Sequence, residues 1–427
     1  MSSFLLRRSS ERSGCCIKKR FGIGYNKPMN TETKRAVAQV ESKRGRNHPL
    51  DQFAAWLTPE TGGWRPAVTI QVIGTNGKGS VSWMLMKGLQ NTGKKVGLFT
   101  SPHLLEHFER IRINGVSIPE DDWMDLYTRY TAFFEKEKLT MFEIDLFMAM
   151  VYFEKQGCDA IVLEAGLGGG RDATTAIEKD LLCYTGTGLD HMAYLGNTLY
   201  EITESKAGAF RPGVPVYCSE TRPEIIEELR QQAQKTGCDF HHVGSEEDGQ
   251  KLREYLLREN PSLADHFPPY QGQNALLAYS VLHHLDPEMD PGRFAHVMAD
   301  FRWPGRYEVI RRDPLLVVDG AHNEQGIRAL CEGLQPHQFT RCYFSVLADK
   351  QGQEMIQLLK EKIDRIILVE FESTRLADLH ELAAAEKLTL IPFEKLKTRL
   401  DLETEPTLVC GSLYFVAEVL RMDHVRC

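Results

Sequence analysis

Short apolar runs alternate with longer helical patterns along almost the whole chain. AVTIQVIG (67–74), rich in β-branched residues, predicts a buried strand, and a helical pattern follows from about Ser80 to Thr92. KKVGLFTS (94–101) predicts the next strand. TMFEIDLFMAMVYFEKQG (140–157) is apolar on nearly every side, the mark of a helix buried all round. CDAIVLEAG (158–166) is another buried strand that runs into glycines, LLCYTGTGLDH (181–191) repeats the scheme, and GVPVYCSE (213–220) follows a Gly/Pro loop. Strand and helix signals in alternation imply an α/β fold with a mostly parallel sheet.

A seam falls near FRWPGRYEVI (301–310). Beyond it a second series begins, with strands expected at LLVVDG (315–320), RCYFSVLA (341–348), RIILVEF (365–371) and PTLVCGS (406–412). The expected organisation is a basic, disordered extension over residues 1–46, a larger domain over 47–299, and a smaller Rossmann-like α/β domain over 300–427. A length of 427 residues suits two cores rather than one.

Composition narrows the classes. With 42% hydrophobic and 26% charged residues the chain reads as globular. A net charge of -8 argues against a nucleic-acid partner, which needs a basic face. No apolar stretch reaches the roughly 18–20 residues that span a bilayer. Ten cysteines without a C-x-x-C pair point to reduced thiols, hence a cytoplasmic protein, and to neither a disulfide framework nor a zinc site. Residues 1–28 have Glu11 as their sole acid and match an organellar presequence in composition, with Met29 as an alternative start. A disordered tail is the preferred reading of that segment, and organellar targeting the lesser one.

The candidate chemistry begins at GTNGKGS (74–80), between a buried strand and a helix. Glycines let backbone close around phosphate oxygens, and amides at a helix start attract anions. Gly74, Thr75, Asn76, Gly77, Lys78, Gly79 and Ser80 would form the cradle, with Lys78 on the terminal phosphates and the Ser80 hydroxyl on Mg²⁺. The common G-x-x-x-x-G-K-[ST] spacing does not fit, because Lys78 lies between Gly77 and Gly79.

That spacing resembles the phosphate loop of the Mur-ligase superfamily, and more narrowly that of the folylpolyglutamate synthase/dihydrofolate synthase family. The resemblance runs from about residue 47 to 423. It is carried in order by GTNGKGS (74–80), SPHL (101–104), ERIRING (109–115), LEAGLGGGRDATT (163–175), GLDHMAYLGNTLYEITESKAGAFRPGVPV (188–216), WPGRYEVI (303–310), DGAHN (319–323), VLADK (346–350) and GSLYFVAEV (411–419). It implies an ATP-binding domain over 47–299 and a ligase domain over 300–427. It implies ATP-dependent ligation of L-glutamate to a folate through an acyl phosphate, in a monomer acting on small molecules, with no nucleic acid or membrane involved.

The resemblance also implies roles for particular residues. Ser80, Glu164 and His191 would hold Mg²⁺, although histidine is an unusual ligand for so hard an ion. Lys206, in ESKAGAF, would be carbamylated and help hold a second Mg²⁺. Lys78, Glu164, His191 and Lys206 form the catalytic set. Asn274 would lie near the adenine, and Arg306, Asp319 and His322 would grip the nucleotide across the cleft, so that ATP closes the two domains.

One segment departs from the family pattern. The usual run is close to GLGGRLDATN; here it is GLGGGRDATT, with Gly170 where arginine is expected, Arg171 one position late, and Thr175 for asparagine. Met192 and Ala193 also stand where more polar residues are common. Three readings follow: a folylpolyglutamate synthase, a dihydrofolate synthase or bifunctional enzyme acting on dihydropteroate, and a nucleotide-binding paralogue without activity.

Overall fold

The computed structural model describes residues 29–422. The readings of residues 1–28 as tail or targeting signal fall outside them. Among the described residues no helix is long and apolar enough to cross a membrane.

Two sheets organise the chain. The first has eight strands: β1 (Val68–Ile73), β2 (Val96–Phe99), β3 (Ile111–Ile113), β4 (Val116–Ser117), β5 (Ala160–Glu164), β6 (Leu181–Tyr184), β7 (Val216–Cys218) and β8 (Phe240–His242). Their spatial order is β4-β3-β2-β5-β1-β6-β7-β8, and only the β2–β3 and β3–β4 pairings are antiparallel. β1 is therefore central, flanked by β5 and β6, and its neighbours in space are distant in sequence. That geometry explains the continuous apolar run: Ile70 and Val72 pack into one core, Ile161 and Leu163 into the core on the opposite face. The helix Met141–Lys155 lies wholly inside the second core, as its all-round apolarity predicts.

The second sheet has six strands: β9 (Glu308–Arg312), β10 (Leu315–Val318), β11 (Arg341–Phe344), β12 (Arg365–Glu370), β13 (Thr389–Pro392) and β14 (Thr407–Cys410). The order is β13-β12-β11-β14-β10-β9, parallel except for β9 at one edge. Apolar clusters cover both faces. The chain is thus two α/β domains, and the seam at 301–310 is where the second begins.

Several expectations need correction. The extension assigned to residues 1–46 is ordered at its end: Thr31–Ser42 is a helix, its N-terminus capped by the Asn30 side chain accepting from the Thr33 N–H. Ala36, Val37 and Val40 are buried against the core that holds helices Glu120–Glu137 and Met141–Lys155. The basic residues of the segment obscured this apolar spacing of 36, 37 and 40, which marks one helix face. The phosphate-loop helix begins at Lys78 rather than Ser80 and ends at Asn91. The short strands β3, β4, β8, β9 and β13 were not foreseen, because strands of two to five residues at or next to a sheet edge carry too short an apolar run to stand out.

If the helix Thr31–Ser42 belongs to the core, Val40→Ala should cost about 2 kcal/mol of stability, in the range of large-to-small core changes. Denaturant unfolding checks this, and a loss near zero would detach the helix from the domain.

Candidate active site

The carboxyl ends of β1, β5 and β6 converge, which is where an α/β sheet places its ligands. The loop after β1 enters the helix Lys78–Asn91 through Gly77, at φ 88°. A side chain there would be strained, and its Cβ would sit 2.3 Å from Asn274 Oδ1. The loop is fixed from behind: the Thr75 N–H donates to Gly186 O (2.8 Å) and Thr185 Oγ1 to Asn76 O (2.6 Å). The first amides of the helix have no intrahelical acceptor and lie free at its positive end. Lys78 Nζ donates to Gly74 O (3.2 Å) and Thr75 O (3.0 Å), and Lys206 Nζ to Gly74 O (2.8 Å). Two ammoniums are thus gathered on one loop, which gives it a strong anion preference. Ser80 is buried and its Oγ accepts from Gln271 Nε2 at 3.1 Å.

Glu164 ends β5 and is buried, with Oε2 accepting from the Ser101 N–H at 3.1 Å. Burial pushes its carboxyl up to about 7, against the opposing pull of Lys78. His191 sits at φ 51° in the loop after β6, and burial holds its imidazole down at about 4, so it is neutral with a free lone pair at pH 7. Lys206, on the helix Leu199–Ala207, is buried; burial, then the charge of Lys78, brings its amine down to about 7. The structure therefore brings Lys78, Ser80, Glu164, His191 and Lys206 to one end of the first sheet. A desolvated carboxylate, a hydroxyl and a neutral imidazole make a donor set that fits a divalent cation. The cation would offset the cost of burying Glu164.

The departing segment GGGRDATT is explained by packing. A Cβ at Gly169 would lie 2.1 Å from Lys206 O, and one at Gly170 would lie 3.1 Å from Gly208 Cα. The backbone at the end of the Lys206 helix leaves no room for a side chain at 169 and makes a tight contact at 170, where an arginine would need the neighbouring backbone to give by a few tenths of an ångström. Asp172 anchors the loop by accepting from the Gly166 and Leu167 amides (2.8 and 2.9 Å). Thr175 Oγ1 donates to Gly169 O (2.8 Å) and accepts from Gln71 Nε2 (2.8 Å), so it is a buried tie. Arg171 is exposed; its carbonyl accepts from Asn47 Nδ2 at 3.4 Å and its side chain points away from this network.

The second domain faces the loop. Asp190 is a shared partner: Lys350 Nζ donates to it, Asn323 Nδ2 donates to it at 2.9 Å, and His322 Nε2 lies 3.6 Å away. Burial alone would raise its carboxyl, but the neighbouring His191 and Lys350 outweigh that and hold it well below the ordinary range. Asn76 Nδ2 donates to Asn323 Oδ1 and Gln325 Oε1, both at 3.1 Å, which stitches the phosphate loop to the second domain. Arg306 donates to Gly305 O (3.2 Å) and its charge reaches both Glu164 and Asp319. Asp319 is already engaged: it accepts from Tyr270 OH (2.7 Å), Tyr307 N (2.8 Å) and Ala321 N (2.7 Å). It reads as the strut of the loop that carries His322. Asn274 packs under Gly77 and donates to Gln271 Oε1 at 2.8 Å.

Residues 305–404 match the Mur ligase glutamate ligase domain. A Bacillus subtilis protein named dihydrofolate synthase/folylpolyglutamate synthase is 30% identical over 387 residues, covering 82% of this chain and 88% of the relative. The chain belongs to the dihydrofolate synthase/folylpolyglutamate synthase family. A Lacticaseibacillus casei folylpolyglutamate synthase is 28% identical, covering 82% of this chain and 88% of its own length. A Yersinia pestis bifunctional folylpolyglutamate synthase/dihydrofolate synthase, solved with AMPPNP and Mn, is similar in structure with a TM-score of 0.78 at 26% identity, covering 92% of this chain and 98% of that one. A bifunctional member solved with Mn, AMPPNP and L-glutamate gives 0.77 at 26% identity, covering 91% and 97%.

Sequence reasoning missed Gln271, Ser101 and Asp190 as members of this folylpolyglutamate synthase-type site. Asp190 was visible beside His191 in LDH; Gln271 carried no signal beyond its place in QNALLAY.

Lys179 offers a test of how dry the ground beneath the loop is. Its Nζ donates to Ala209 O at 3.3 Å, and burial, with the charge of Arg211, brings it down to about 7. The folded state then binds fewer protons than the unfolded chain between pH 7 and about 10.4, so this residue makes stability rise with pH across that window. Lys179→Met should remove that rise and stabilise the protein at neutral pH. Thermal unfolding at pH 7 and pH 10 reads the change, and an unaltered slope would refute it.

Proposed function

We propose that Lys78, Ser80, Glu164, His191 and Lys206 carry the ATP-dependent ligation of L-glutamate to a folate carboxylate. The observation that carries this reading is the convergence of two lysines, one carboxylate and one neutral imidazole on the loop GTNGKGS, with Arg306 and His322 approaching from the second domain. The AMPPNP and Mn bound by the Yersinia pestis relative support ATP and a divalent cation here, and the L-glutamate in the other structure supports the amine substrate.

The loop amides and Lys78 would receive the ATP phosphates, releasing Lys78 from its hold on Gly74 and Thr75. Arg306 and His322 would complete the nucleotide grip, and Asn274 would set the adenine side. The γ-phosphoryl then passes to the folate carboxylate, giving an acyl phosphate and ADP. The amine of glutamate attacks that carbonyl, a proton leaves the nitrogen, and phosphate departs. Ser80, Glu164 and His191 would hold Mg²⁺, which would neutralise charge on the transferring group. Lys206 would hold a second ion as its carbamate; its amine already points at the loop. The ties from Asn76 to Asn323 and from Asp190 to Lys350 keep the domains closed, which shields the acyl phosphate from water.

Family members of both kinds exist, so dihydropteroate is the alternative acceptor. We assign the reaction to the cytoplasm and the working unit to a monomer. The unpaired cysteines, such as buried Cys158, Cys183 and Cys218, support a reducing compartment.

Protein incubated with ATP, Mg²⁺, glutamate and tetrahydrofolate should give a mass ladder spaced by single glutamyl residues. A single addition confined to dihydropteroate would select the alternative. ATP binding without turnover on either acceptor would indicate a silent paralogue. Lys78→Ala should lower turnover about 10²–10³-fold or more, as loss of a transition-state charge contact does, with an unchanged unfolding curve. Full activity in that variant would refute the phosphate-loop assignment.

A further inference from the structure

A second polar cluster lies in the first domain, apart from the donors assigned above. Glu41 comes from the helix Thr31–Ser42; His103 and His107 come from the loop and 3₁₀ turn after β2. One ligand atom from each lies within 4.8 Å of the others. The Glu41 carboxylate is 3.1 Å from His107 Nδ1 and 3.5 Å from His103 Nε2. Atoms about 2.0–2.2 Å from a tetrahedral zinc lie about 3.3–3.6 Å from one another, so the Glu41–His103 separation is already such an edge and the Glu41–His107 one is only slightly short of it.

The surroundings support a metal. His107 has a side chain 1% exposed, and its other nitrogen, Nε2, is 2.8 Å from Asp145 Oδ1. That is the carboxylate–histidine arrangement that orients a metal-bound imidazole. Asp145 is fully buried, and its second oxygen, Oδ2, has no hydrogen-bond partner. Trp123 walls the cluster edge-on to His107 at 5.6 Å. We propose that Glu41, His103 and His107 bind a zinc-class divalent cation, with Asp145 holding His107. Two imidazoles and a carboxylate suit zinc and disfavour Mg²⁺, so the site is chemically separate from the one in the nucleotide cleft.

One contact must change. Arg110 Nε donates to His103 Nδ1 at 3.0 Å, which keeps the proton of His103 on Nε2. Metal on Nε2 puts that proton on Nδ1 and displaces Arg110. Asp145 Oδ2, already ion-paired with Arg110 Nε at 3.5 Å but without a hydrogen bond, would then accept from it. The cation would then clamp the helix Thr31–Ser42 to the segment that starts at Ser101, whose N–H holds Glu164.

The test uses the full chain without an affinity tag, with Mg²⁺ and AMPPNP present to fill the cleft. Co²⁺ should bind one equivalent with the visible spectrum of a tetrahedral site, and Zn²⁺ should displace it and raise the unfolding temperature. Glu41→Gln, at a part-exposed position that leaves the fold intact, should abolish the spectrum and the thermal shift. Asp145→Asn should weaken Zn²⁺ about 10–100-fold, the usual effect of losing a ligand's orienting partner. Absence of a stoichiometric tetrahedral Co²⁺ spectrum in the unmutated protein would overturn the proposal, leaving an ion-pair clasp only. Glu41→Gln binding Zn²⁺ as tightly as the parent would overturn it equally.

Discussion

The structure depends on placing opposite charges, largely out of water, at the carboxyl ends of three adjacent parallel strands. Each charge is costly there alone, because burial penalises the ionised form. Lys206 is tolerated because Gly74 O accepts from it, and Lys78 rests on the same loop. Glu164 is tolerated because Ser101 donates to it and lysine lies near. The arrangement is poised rather than satisfied: both lysines spend their donors on the carbonyls of the glycine-rich loop, and Glu164 and Lys206 are both shifted towards neutrality. An incoming polyanion with its cation would complete it.

The same constraint joins the domains. Asp190 is buried, and its partners Lys350, Asn323 and His322 all come from loops of the second domain. An aspartate stripped of these partners would be an unpaired buried charge, costly enough to disfavour separation of the domains. The contact between the domains is thus favoured by the ion pair at Asp190 and by the Asn76–Asn323 amide pair. Apolar packing adds to both, since Leu104 and Leu105 of the first domain join an apolar cluster of the second.

The segment GGGRDATT shows how local packing can mimic a functional change. By sequence it looks like a displaced arginine beside the substrate. In three dimensions the glycines let the loop lie flat on the helix carrying Lys206, and Asp172 and Thr175 tie it down. Gly169 and Gly170 thereby control where Lys206 stands, which connects an apparent substrate-side oddity to the nucleotide side.

The α/β class and the two-domain build were legible in the chain itself, and so was the glycine-rich turn between β1 and its helix. Buried parallel strands need unbroken apolar runs, and glycine-rich turns need fixed positions, so both leave marks in linear order. The helix Thr31–Ser42 was legible only in part, because basic residues on its outer face hid three buried positions. The roles of Asp190, Gln271 and the Glu41–His103–His107 cluster were decided by tertiary structure alone. Their partners lie tens to hundreds of residues away, and a hydrogen bond or ligand set between such positions has no periodicity to betray it. Sequence determines which groups are available at each strand end; folding decides which of them meet, because only burial makes their charges answer to one another.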